Sequence, residues 1–163
     1  MKFIKKQGVA NYGLLASVVL TIVMMIVFSI AYNGSRGYFA TQYKALTPFI
    51  WVCVGIIVSS LLALCLSSLK FEGVAGKAVA ICVDVLTVLV CCLFALSIFY
   101  MLRCSVYEMG LAWASDLHAD EPFVSQCCVL VIVGVVFAVL GILAVGITGM
   151  FDNVREEKPV EAK

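Results

Sequence analysis

The sequence predicts an all-α integral membrane protein, a four-helix antiparallel bundle, and three observations lead there. Of 163 residues, 64% are hydrophobic and 13% charged, and mean hydropathy is +1.13. Soluble chains are about half apolar and a quarter charged. The apolar residues come in long blocks rather than at a helical or strand period, so lipid is the solvent that fits them. Four blocks, 12–32, 49–69, 78–102 and 127–151, each reach the roughly 20 residues needed to cross a hydrocarbon core about 30 Å thick at about 1.5 Å per residue. The backbone finds no water there and must satisfy its polar groups within each segment. These runs are too long and uniform for barrel strands, which leaves helices. Residues 1–151 then form one four-span domain.

The first block follows a basic start in which Phe3 and Ile4 stand among Lys2, Lys5 and Lys6. Ser29-Ile30-Ala31 offers a signal-peptide cleavage reading. The apolar run from Leu14 to Ala31 is longer than the usual 7–15 residues or so of such a segment, so an uncleaved helix is expected. Loop one, 33–48, carries Asn33-Gly34 and Gly37 as turn signals and Tyr38, Phe39 and Tyr43 as interfacial aromatics. Pro48 opens the second helix, where a missing N–H is harmless. Loop two, 70–77, is short and holds Gly73 and Gly76, so the second and third helices must be antiparallel neighbours. Loop three, 103–126, is the richest connection: Met109 to Ala114 suits a short interfacial helix anchored by Trp113. The tail, 152–163, is charged and poor in apolar residues, and is expected to be disordered in the cytoplasm.

Laid alternately through a membrane, the four helices sort the basic residues. Lys2, Lys5, Lys6, Lys70, Lys77, Arg155, Lys158 and Lys163 fall on one side, against Arg36, Lys44 and Arg103 on the other. The positive-inside rule places both termini in the cytoplasm, with the plasma membrane the expected location. A net charge of +1 with no concentrated basic surface excludes nucleic acid as a partner. The expected partners are the lipid bilayer itself and either further copies of the chain or another membrane protein.

Asp84 is the one charged residue inside the four blocks. An ionisable group within a span is by default a candidate functional site. Counted from Lys77 it lies about 10 Å inside the span. Ala80, Asp84, Thr87, Cys91 and Ala95 recur at helical spacing and form a small or polar stripe expected to face neighbouring helices. No lysine or arginine lies at that depth, so hydroxyls are the expected partners, with Ser17, Thr21, Ser59, Ser60 and Thr148 within a few turns. Asp84, Thr87, Ser17, Thr21 and Ser60 thus make a candidate intramembrane polar site. It reads either as a protonation or cation site of a transporter or as a polar packing contact. Gly134, Ala138 and Gly141 form a small-residue face of the fourth helix that lets another helix approach closely.

The chain has eight cysteines. Cys53, Cys65, Cys82, Cys91 and Cys92 lie inside the blocks away from the outward helix ends, where a thiol behaves as a small hydrophobe. No Cys-x-x-Cys pair occurs. Cys104 and either Cys127 or Cys128 stand at the outward helix ends, where a disulfide could close loop three. Asp116, His118, Asp120 and Glu121 could offer a divalent metal oxygen and nitrogen ligands, but a solvated acidic loop accounts for them as well, and His118 is the sole histidine. No metal and no cofactor is expected. No nucleophile and base are placed for chemistry, so an enzyme is not expected either. No motif carries a resemblance to a particular family. The expectation is a small non-enzymatic accessory or interaction protein, and the rival reading is an oligomeric proton- or cation-linked transporter or channel that uses Asp84.

Overall fold

A computed structural model describes residues 9–34, 46–68, 74–114 and 122–155. They form four helices: α1 (Val9–Gly34), α2 (Leu46–Ser68), α3 (Val74–Ala114) and α4 (Pro122–Arg155). Each is long and apolar enough to cross a membrane.

Contacts along the helices set the register. On α1 and α2, Asn11 lies beside Ser67, Ser17 beside Ser60 and Phe28 beside Phe49. On α3 and α4, Thr87 stands near Gly149, Phe94 against Gly141 and Met101 against Gly134. In both pairs one number rises as the other falls, so the partners run antiparallel. Gly13 of α1 lies against Thr148 and Ala144 of α4, and Gly55 of α2 faces Leu93 of α3. Each helix therefore touches its two neighbours around a ring, with α1 closing onto α4. The start of α1 and the end of α4 share one end of the bundle, called here the inner end.

The axis is filled by large side chains. Met24, Phe28, Phe49, Ile56, Phe94 and Met101 are fully buried. Phe28 and Phe49 stack tilted with ring centroids 4.6 Å apart. Small residues make this closeness possible: a Cβ added at Gly141 would stand 2.5 Å from the Phe94 ring, and one at Gly134 would stand 3.3 Å from Met101 Sδ. At Gly13 an added Cβ would collide with Thr148 Oγ1. These glycines are sites of backbone approach, the use that small residues serve in bundles of apolar helices.

Helix boundaries differ from the sequence expectation most at α3. Its 41 residues span about 61 Å at 1.5 Å each, twice a hydrocarbon core. The helix does not stop at Leu102. It runs through Ala114 and absorbs the segment expected to be a separate interfacial helix. The reason lies in the pattern: Ser97, Met101, Cys104, Ser105 and Glu108 are buried at three- and four-residue spacing straight past Arg103. The first helix, the second and the fourth match their expected blocks to within a few residues at each end, with α4 starting at Pro122 and ending at Arg155. Pro122 suits a first helical position.

Candidate functional site

The polar groups expected to form one intramembrane site divide between two places. Ser17, Thr21 and Ser60 come together at the α1–α2 contact, all fully buried. Ser17 Oγ donates to the Leu14 carbonyl at 2.7 Å, and the Ser17 and Ser60 hydroxyl oxygens are 2.8 Å apart. One hydroxyl has one proton, so Ser60 donates to Ser17. Thr21 Oγ1 donates to the Ser17 carbonyl at 2.7 Å. Nearer the inner end, Ser67 Oγ stands 2.8 Å from Asn11 Oδ1 and 2.9 Å from the Leu64 carbonyl, and its one proton serves these two acceptors. The hydroxyl protons are thus spent on carbonyls and on each other, which fastens α1 to α2 and is the usual way for buried serines and threonines to satisfy themselves in a helix.

Asp84 and Thr87 are elsewhere. Asp84 is exposed on the outward side of α3. Thr87 is half-buried, donates to the Val83 carbonyl at 2.8 Å, and faces α4 near Gly149. The stripe of Ala80, Asp84, Thr87, Cys91 and Ala95, expected to face the neighbouring helices, is corrected: Ala80, Asp84 and Ala95 are exposed. The face that packs is Val90, Phe94, Ser97 and Met101, on the other side of α3. Large side chains opposite Gly141 and Gly134 fill the contact, and this outweighs the small-residue stripe.

The register also fixes the level of Asp84 along the bundle. Ser97 Oγ meets Met24 Sδ at 3.6 Å, 73 residues apart in the chain. The same offset sets Asp84 level with Asn11, two residues past the start of α1. Thr87, one turn further along α3, is already near Gly149, six residues before the end of α4. Asp84 therefore lies at the inner rim of the bundle rather than beside Ser17 and Ser60. Between Asp84 and Arg103 the sequence has 18 uncharged residues, about 27 Å of helix. That length matches a hydrocarbon core, and α3 begins before it and continues beyond it.

At the outer end, α3 and α4 continue side by side and bury a group that the sequence reading passed over. Glu108 is 6% exposed. Continuing the pairing of Phe94 with Gly141 and Met101 with Gly134 brings Glu108 level with Cys127. Ser105 is fully buried nearby and donates to the Met101 carbonyl at 2.7 Å. Cys104, Cys127 and Cys128 are all buried as thiols. The helical spacing from Met101 through Cys104 to Glu108 was the available signal, and Arg103 obscured it by marking an apparent helix end. Gly134, Ala138 and Gly141 are all buried on α4, with Gly134 and Gly141 facing α3. Asp116, His118, Asp120 and Glu121 lie outside the described residues, as does 156–163 of the tail.

Among the described residues no group of three or more histidine, cysteine or acidic side chains is placed to hold a metal ion. An open recess runs along the outer half of α1 beside Met25, Ile26, Ser29, Ile30 and Asn33. No family model, no curated protein and no solved structure matches this chain. The class that fold and site define is an all-helical protein of four helices, each suited by length and composition to crossing a membrane.

Proposed function

We propose that the chain is a multi-pass integral membrane protein of the plasma membrane, with both ends in the cytoplasm, acting as a non-enzymatic accessory or interaction protein. The observation that carries this reading is the distribution of polarity. Ser17, Thr21, Ser60 and Ser97 are fully buried, while Leu15, Val19, Ile22, Ile26 and Ile30 form an exposed row on α1. Comparable exposed rows run along α4 through Val129, Ile132, Val136 and Val139, and along α2 and α3. A soluble monomer exposes patches of a few hundred Å² at most, whereas acyl chains cover such a surface without cost. The excess of basic residues at the inner end supports the orientation.

The accessory role is supported by what the bundle interior contains. Aromatic and methionine side chains fill the axis, and the buried hydroxyls described above are engaged with backbone or with one another. Nothing in that arrangement offers a path for an ion. The rival reading needs Asp84 inside a polar pathway, and its outward position at the rim speaks against that. A flux assay tests the choice. Wild type and Asp84→Asn, reconstituted in vesicles under an imposed pH gradient, should both leave proton and cation flux at the protein-free level. Flux that disappears in Asp84→Asn would overturn the accessory reading and make α3 part of a conduction path.

A further inference from the structure

Three cysteines are exposed, Cys65 on α2 and Cys82 and Cys92 on α3. Cys53, Cys104, Cys127 and Cys128 are buried, and Cys91 is half-buried. Only residues 69–73 separate α2 from α3, which run antiparallel, so the pairing of Gly55 with Leu93 can be followed along both helices. It brings Cys65 level with Val83, one residue from Cys82. Cys82 also stands about three helical turns from Leu93, which puts it on the side of α3 that borders α2. Cys65 continues the exposed row of Val54, Val58 and Leu61 on α2. Two exposed thiols thus share one level on neighbouring helices.

That level is the inner rim. Cys82 lies two residues to the inner side of Asp84, which bounds the uncharged stretch of α3. Cys92 instead falls near the middle of the 18 uncharged residues between Asp84 and Arg103.

Joining a fatty acyl chain to a cysteine sets three demands. The thiol must be open on the surface, the water-soluble head of the acyl donor must reach it, and lipid must lie beside it to receive the chain. Cysteines at the membrane edge of a helix are where reversible S-acylation occurs for these reasons. The buried cysteines fail the first demand. Cys92 fails the second, since it lies about 12 Å of helix inside Asp84. Cys65 and Cys82 meet all three: each is exposed at the rim, and the exposed apolar residues Val54, Val58 and Leu61 on α2 and Val85 and Val88 on α3 lead from them into the bilayer.

We propose that Cys65 and Cys82 form a paired S-acylation site at the inner end of α2 and α3, each taking a long-chain fatty acyl group from acyl-coenzyme A. In each transfer the cysteine sulfur, as thiolate, attacks the thioester carbonyl carbon. The new S–C bond forms as the donor's C–S bond breaks, and coenzyme A leaves with the proton that the cysteine gave up. The proposal rests on the multi-pass reading with cytoplasmic ends, which puts this rim on the side of the donor. Two chains at one level tie the inner ends of both helices to the cytoplasmic leaflet.

The test expresses the full chain in cultured cells fed an alkynyl palmitate, with label read before and after hydroxylamine. Hydroxylamine-dependent exchange of acyl groups for a polyethylene glycol maleimide counts the sites by mass. Wild type should carry hydroxylamine-sensitive label and gain two tags. Cys65→Ser and Cys82→Ser should each gain one, the double variant none, and Cys92→Ser two. No tag or a single tag in wild type, tags that persist in the double variant, or a tag lost in Cys92→Ser overturns the proposal. Alkaline carbonate extraction of the same membranes and staining of terminal epitope tags separate this failure from failure of the membrane reading. A chain washed out by carbonate, or one whose termini are stained on intact cells, sinks both. A chain retained with its termini inside and without acyl label sinks the acylation site alone.

Discussion

Two glycines on α4 carry opposite expectations. A side chain at Gly141 would drive into the Phe94 ring, whereas nothing stands within 4 Å of a Cβ at Gly146. Gly141→Val should destabilise the bundle by about 1–3 kcal/mol, the usual cost of overpacking a filled contact. Gly146→Ala should be neutral or stabilise by up to about 1 kcal/mol through helix propensity. Unfolding of the two variants in mixed micelles, compared with wild type, checks both signs. The Ser17–Ser60 hydrogen bond gives a finer test. Ser17→Ala, Ser60→Ala and the double variant should show a coupling of about 0.6 kcal/mol, the average for such bonds between apolar helices; zero coupling would mean that the pair does not hold α1 to α2. At this scale the sequence was legible where small size mattered. Gly134, Ala138 and Gly141 announce a close approach by spacing alone. Asp84 was misleading because the spacing of its stripe does not say which side of α3 packs, and the structure leaves Asp84 exposed. Glu108 went unread because a carboxylate next to an apparent helix end looks like a loop residue.

At the scale of the element, α3 departs furthest from a simple span. Composition identifies its apolar stretch, but composition cannot say that a helix continues once a charge appears. Continuation is decided by packing: α4 starts at Pro122 and lies alongside, so the buried positions of α3 past Arg103 find partners. The account places the lipid-embedded part of α3 between Asp84 and Arg103. A fluorescent amino acid introduced singly at 84, 92 and 103, read with depth-graded brominated lipids, should be quenched most deeply at 92 and at interfacial depth at 84 and 103. A probe at 84 about 10 Å deep, as counting from Lys77 implies, would contradict that placement.

For the whole molecule, block lengths and hydropathy were enough to foresee four antiparallel helices, because lipid leaves a chain of this composition few alternatives. The ring order of the helices was open in the sequence for α1 and α4, and the close approach of Gly13 to Thr148 closes it. Which faces look outward was not legible, since helices that are apolar all round give no amphipathic signal. The central claim is four membrane crossings with both ends inside. Small epitope tags placed singly at the amino terminus, within 69–73, within 115–121 and at the carboxyl terminus, stained in intact and then permeabilised cells, test it most directly. The account predicts that only the tag within 115–121 is stained before permeabilisation. Staining of either terminus or of 69–73 on intact cells, or of no tag without a bound membrane fraction, would contradict it.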